Sequence, residues 1–307
     1  LKQNSGYCDR SFISINYIHR MKNKLRLFTG IFLLVSLSTA AQTGKKTLNK
    51  GKLFIIGGGS RTTELMKTLV ATAQLEANDY IVVLPMSSEE PDTSFYYIQR
   101  DFVKVCSNKI TQLNFTSKRV HDKNWLDSLE KAKLIFITGG DQNRFMQVVL
   151  NTPVHKAIKV AYANGSTIAG TSAGAAVMSK EMITGNEYSG DSVVSGSFKK
   201  IQQDMVEIKE GLGLINTAII DQHFIARSRY NRLLAVLASF PAYPCIGIDE
   251  GTAIIVNGNR IRVAGVSQVI RLRLPDKQKN STQANGIINM RNVQLDILTA
   301  GDEFKLN

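Results

Sequence analysis

Thr167-Ile168-Ala169-Gly170-Thr171-Ser172-Ala173-Gly174-Ala175 is the stretch that decides the fold. A short β-branched and apolar run ends at Gly170, and small residues over Ala173–Lys180 predict a helix. A G-x-S-x-G turn between strand and helix has the pattern of a nucleophile elbow. The tight turn forces the serine into strained backbone and exposes its hydroxyl; its neighbours are small because strand and helix approach closely. The N–H of Ala173, at the start of the helix, is then suited to stabilising an oxyanion. The competing reading is a Gly/Ser-rich turn that only packs. On the first reading Ser172 is a nucleophile.

Working outward, the same alternation recurs. Leu53–Ile56 ends in Gly57-Gly58-Gly59, Ile81–Leu84 ends in Pro85, and Leu134–Ile137 runs into Gly139-Gly140. Between these runs, Thr62–Ala77, Asp92–Val105, Gln142–Leu150 and Pro153–Ala163 carry helical periodicity. Strand–helix alternation predicts an α/β fold, a mostly parallel sheet with helices on both faces. Ligands of such sheets sit beyond the carboxyl ends of the strands, where these glycine-rich turns fall. In the last third, Ile246–Val256, Arg260–Val266, Val269–Leu274 and Val293–Leu298 read as extra C-terminal strands on one edge of the same domain. Asn257-Gly258-Asn259 suits a hairpin turn, and Pro275–Gly286 an exposed loop.

A serine nucleophile needs a base. Of the four histidines, His223 follows the apolar run Thr217–Ile220 in Asp221-Gln222-His223-Phe224, again at a strand end, and is the preferred candidate. A third member would be a carboxylate that fixes the imidazole tautomer. Glu181, Glu187 and Asp191 follow the elbow helix, and spacing does not choose among them. Arg227, Arg229 and Arg232 come next; guanidinium groups bind carboxylates through paired hydrogen bonds, so an anionic substrate suits them, as does a solvated face. In Gly139-Gly140-Asp141-Gln142 a backbone N–H can complete an oxyanion hole, and Gln142 can bond a substrate amide. Gly57-Gly58-Gly59 lacks the further glycine of a dinucleotide fingerprint, and no Walker A pattern occurs. No HExxH or clustered His/Cys set argues for a metal, and no cofactor is expected.

The chain has 307 residues, a length that excludes a small stapled module. Its net charge of +13 invites a nucleic-acid reading until it is located along the chain. Met21–Ala41 has a basic start (Lys22, Lys24, Arg26), an apolar centre (Ile31–Leu37) and a small-residue end, the layout of a secretory signal peptide. Residues 1–20 are expected to be an upstream over-extension, and 42–307 a single α/β domain, secreted or periplasmic. Without residues 1–41, 32 basic and 24 acidic residues remain, a net +8. The remaining Cys106 and Cys245 form neither a metal knuckle nor a disulfide framework. Neither nucleic acid nor membrane is expected as a partner; a homodimer stays open.

Taken together, five pieces resemble the cyanophycinase family, serine exopeptidases related to the aspartyl dipeptidases. They are Ile56–Gly59; Thr138–Gln142; Gly170–Ala175; Asp221–Phe224 with Arg227, Arg229 and Arg232; and Gly247-Ile248-Asp249-Glu250-Gly251-Thr252-Ala253. They occur in the family's order over about residues 51–275. The resemblance implies a flavodoxin-like fold of the class I glutamine amidotransferase kind and a Ser–His–acid mechanism. It implies hydrolysis of cyanophycin, an aspartate- and arginine-rich polymer, to β-Asp-Arg dipeptides. Ser172 and His223 are then catalytic, with Glu187 as the acid in the loop after the elbow helix. Gly140 and Ala173 form the oxyanion hole, and Gln142, Asp221, Gln222, Arg227, Arg229 and Arg232 bind substrate, Asp221 taking its guanidinium. The alternatives are an aspartyl or β-aspartyl dipeptidase, or a non-catalytic binding protein, on the same scaffold.

Overall fold

The computed structural model describes residues 51–189, 192–194, 201–276 and 280–306, with only the backbone described at 189 and 192–194. The expected leader at 21–41, the segment before it and the candidate Asp191 lie outside the described residues.

In chain order the strands begin with β1 (Leu53–Ile56), β2 (Tyr80–Leu84), β3 (Lys109–Gln112), β4 (Leu134–Ile137) and β5 (Thr167–Thr171). These alternate with helices α1 (Thr63–Ala73), α2 (Pro91–Phe102), α3 (Lys123–Glu130), α4 (Gln142–Val149) and α5 (Pro153–Ala163). The elbow helix α6 (Ala173–Ala176) follows, then β6 (Glu181–Ser189), β7 (Ser192–Val194), β8 (Val206–Glu210), β9 (Ile219–Gln222) and α7 (Tyr230–Ser239). The chain closes with β10 (Cys245–Ile248), β11 (Thr252–Asn257), β12 (Arg260–Gly265), β13 (Val269–Arg273), β14 (Asn280–Thr282), β15 (Ile288–Met290), β16 (Gln294–Leu298) and β17 (Glu303–Lys305).

The main sheet has the order β17-β12-β11-β1-β5-β4-β2-β3. Its five strands from β1 to β3 are parallel, and β11, β12 and β17 extend it antiparallel beyond β1. Successive residues of β1 point to opposite faces: Leu53 and Ile55 into one apolar cluster with α4 and α5, Phe54 and Ile56 into another with α1 and α2. Helices therefore cover both faces. That accounts for the unbroken apolar reading of these strands.

The C-terminal strands differ from the expectation. They do not all join one edge. Ile246–Val256 is not one strand but two, separated by Asp249-Glu250-Gly251. β11 lies in the main sheet, whereas β10 pairs with β9 and β13 in a second sheet of order β16-β13-β10-β9. The physical reason lies in the three residues: two adjacent charges and a glycine at φ 64° cannot continue a buried ladder. The hairpin forms at Gly258-Asn259, between paired Asn257 and Arg260. The elbow helix ends at Ala176, short of the expected Lys180.

Candidate active site

The elbow forms as its residues demand. A Cβ on Gly170 would collide with the Gly174 carbonyl, and one on Gly174 with the Ile137 carbonyl, so strand and helix can approach only through glycine. Ser172 takes φ 55° and ψ −113°, a non-glycine strain of about 1–3 kcal/mol. Its N–H donates to the Ile56 carbonyl at 3.1 Å, which fixes the elbow against β1. The Gly139-Gly140 turn lies alongside: a Cβ on Gly139 would stand 3.4 Å from Ser172 Cβ and 3.9 Å from its Oγ. Gly140 has φ 134°, and a side chain there would strike the Ser87 carbonyl. Ala173 opens α6 directly after the serine. The N–H groups of Gly140 and Ala173 thus belong to the two backbone segments flanking the hydroxyl.

His223 lies one residue beyond the end of β9, at φ 48°. Its N–H donates to the Gly57 carbonyl at 2.7 Å. Nε2 lies 2.8 Å from Ser172 Oγ, and Nδ1 lies 2.5 Å from Oε1 of Glu250. The glycine triplet after β1 makes room for this pair. Gly58, at φ 115°, lies where any Cβ would run into the imidazole, and a Cβ on Gly59 would stand 2.7 Å from Glu250 Cβ. Burial pushes the His223 pKa below 6.5, helped by Arg227 and Arg229; the Glu250 hydrogen bond works the other way. A neutral imidazole with Nδ1–H on a carboxylate leaves Nε2 free to accept the serine proton.

The carboxylate bonded to His223 is therefore Glu250 and not Glu187. Glu187 is buried in β6, and Arg232 Nη1 donates to its Oε1 at 3.2 Å. Burial raises its pKa against the pull of Arg232. Glu181, at the start of β6, pairs with Lys180 at 3.5 Å. Glu250 stands inside an apolar run, Ile246–Val256, that reads as one strand and so gives it no role of its own. The Asp-Glu-Gly interruption was the signal that could have found it.

Other expected substrate contacts also turn inward. Asp221 is fully buried, with both oxygens on Arg232: Nε donates to Oδ2 at 3.0 Å and Nη2 to Oδ1. It is not open to a substrate guanidinium, because the chain's own guanidinium fills that role. Arg232 lies on the buried face of α7 beside Leu233 and Val236, which removes it from an incoming carboxylate. Gln142 Nε2 donates to the carbonyls of Ile183, at 3.1 Å, and Thr184, so its amide nitrogen holds β6. Gln222 is buried; its carbonyl accepts from Arg229 Nη1 at 2.6 Å, and its Oε1 has no partner among the described residues. Arg227 is exposed, and Arg229 half-buried, its pKa lowered to about 10 by burial and by Arg232 and Arg227, against the pull of Asp221 and Glu187. Of the three arginines, only Arg227 and Arg229 remain near the surface.

His155 is buried, with Nε2 3.0 Å from the Leu212 carbonyl. Cys245 is a buried free thiol on β10, pushed to a high pKa by burial and by Asp221. Among the described residues no group of His, Cys, Asp and Glu is set to hold a metal ion, and no helix is long and apolar enough to cross a membrane.

The family model described as peptidase family S51 matches residues 53–264, which contain all three members of the Ser172–His223–Glu250 chain. The chain belongs to peptidase family S51. It is a serine-type peptidase. Curated relatives include the cyanophycinases of Nostoc sp. and Trichormus variabilis, each 33% identical over 266 residues, covering 84% of this chain and 86% of theirs. The crystal structure of a peptidase from an acI-B1 Actinobacterium shares the fold, with a TM-score of 0.59 at 19% identity over 84% of this chain and 98% of that one. In this S51 peptidase the hydrogen-bonded chain spans the two largest sheets: the serine follows β5, the histidine follows β9, and the carboxylate lies between β10 and β11.

Proposed function

We propose that the protein is a secreted serine exopeptidase that hydrolyses cyanophycin to β-Asp-Arg dipeptides through Ser172, His223 and Glu250. The observation that carries the reading is the continuous pair of hydrogen bonds, 2.8 Å and 2.5 Å, from hydroxyl to imidazole to carboxylate. Ser172 Oγ attacks the scissile carbonyl as His223 Nε2 takes the hydroxyl proton. The Gly140 and Ala173 N–H groups hold the oxyanion. On collapse the C–N bond breaks, and His223 returns the proton to the leaving amine. Water, activated by the same nitrogen, then releases the acyl group from Ser172. Glu250 keeps Nδ1 protonated and stabilises the imidazolium without accepting its proton. Arg227 and Arg229 suit the carboxylates of the substrate.

The substrate reading rests on the relatives named cyanophycinase. Secretion rests on the signal-like Met21–Ala41. A flavodoxin-like scaffold is supported by the parallel strands: counted from β2, their spatial order is 2-1-3-4, with β1 in the fifth place.

The test is incubation of residues 42–307 with cyanophycin and with a panel of β-aspartyl dipeptides, followed by mass analysis. Release of β-Asp-Arg that disappears in a folded Ser172→Ala variant is expected. Unchanged release by that variant would sink the mechanism, and cleavage of the dipeptides alone would make this a dipeptidase.

A further inference from the structure

Asp249, next to Glu250 in the break between β10 and β11, has no part in the chemistry above, yet both its oxygens are engaged. Oδ1 accepts the N–H groups of Ile225, at 3.0 Å, and Ala226, at 2.9 Å. Oδ2 accepts the Ser267 hydroxyl at 2.7 Å. Ile225 and Ala226 lie in the turn that holds His223 at φ 48°. That turn closes through Arg227 N–H to the His223 carbonyl at 3.0 Å, and Phe224 N–H to the Ile248 carbonyl at 3.2 Å. Ser267 in turn donates its N–H to Thr252 Oγ1 at 2.8 Å, on the far side of Glu250. One buried carboxylate therefore ties the segment after His223 to both flanks of the Glu250 turn. Burial opposes its charge, but hydrogen bonds from Ser267, Ala226, Glu250 and Ile225 outweigh that and lower its pKa.

We infer that Asp249 is a positioning residue that sets the distance between His223 and Glu250 by clamping their two turns together. The inference rests on the Ser172–His223–Glu250 reading. Without the clamp, Ile225 and Ala226 lose a shared acceptor, the strained His223 turn relaxes, and the imidazole moves relative to its carboxylate. Misplacement by about 1 Å costs on the order of 10²-fold in rate. Asparagine keeps an acceptor oxygen for the two N–H groups, whereas alanine keeps none.

The experiment uses residues 42–307 and two readouts that need no knowledge of the substrate. One is the downfield proton resonance of a His223 Nδ1–H bonded to Glu250. The other is the rate at which a fluorophosphonate labels Ser172, normalised to the fraction folded in urea. In Asp249→Ala the resonance is expected to vanish or move upfield and labelling to slow by about 10²-fold, with Asp249→Asn restoring most of both. A resonance and normalised labelling rate unchanged in folded Asp249→Ala would overturn the inference, leaving Asp249 only a structural role. Equal loss in the asparagine variant would also overturn it, because the acceptor geometry would then not be what matters. If the wild-type resonance survives Glu250→Gln, or labelling survives Ser172→Ala, the triad reading itself fails and the positioning role falls with it.

Discussion

Two clusters of charge lie on either side of Asp221-Gln222-His223, and they are built to opposite rules. In one, Arg232 is 3% exposed between Asp221 and Glu187, whose side chains are 1% and 8% exposed. In the other, His223 holds Glu250, whose side chain is 42% exposed. The first is sealed from solvent; the second is half-open and, on the proposed mechanism, carries a group that changes its charge. A buried ion cluster can brace a fold because none of its members has to change, whereas a catalytic pair must stay within reach of a proton. Proximity of an acid to the elbow in sequence does not tell these apart. Burial does.

The sharpest way to break the contrast is to neutralise each carboxylate in turn. Glu250→Gln is expected to lower the rate of Ser172 labelling by about 10⁴-fold, by analogy with serine triads that lose their acid. Glu187→Gln should slow labelling by less than about tenfold. If the two variants exchange these outcomes, the assignment of the acid is reversed. Stability should show the opposite ranking. Arg232→Ala removes the buried guanidinium that Asp221 and Glu187 share, and urea denaturation should report a loss of about 3–5 kcal/mol. Glu250→Gln, on a half-exposed side chain, should leave the urea midpoint nearly unchanged.

A smaller effect separates the clusters by pH. Burial keeps His223 neutral below the pH at which an ordinary histidine protonates, so labelling should persist below pH 6.5 and fail only as pH drops through the lowered pKa. Glu250→Gln removes a contribution that raises this pKa, and should move the acid limb lower still. A limb at or above 6.5 would contradict the sign. Smallest of all, Arg227→Ala on the exposed rim should raise KM for an acidic peptide by up to about tenfold, as loss of one charge-assisted hydrogen bond would. kcat should be little changed.

The legible parts of the molecule are those where one physical rule acts alone. β1 and β4 are apolar runs stopped by glycine, and α5 begins at a proline and ends where the apolar spacing does. All three match their expected bounds. The elbow was legible because few sequences tolerate small residues on both sides of a serine. Missed elements are those where rules compete. β3, Lys-Ile-Thr-Gln at the sheet edge, has too little apolar character to stand out, and α3 is only two turns long. Arg232 reads as one charge of a basic cluster, although its spacing from Ala235 and Val236 puts it on the buried stripe of α7. Glu250 was hidden because apolar content on both sides outweighed three residues that break a strand.

That break has a consequence for how the enzyme would fail. The Ser172–His223–Glu250 side chains hang from two sheets that share one apolar cluster, so their alignment gauges how those sheets are seated. Gentle warming or dilute urea should silence the protein while both sheets are still folded, as soon as the seam between them loosens. An inhibitor bonded to Ser172 and resting on His223 would act as a rivet through that seam, raising the resistance of both sheets to unfolding together.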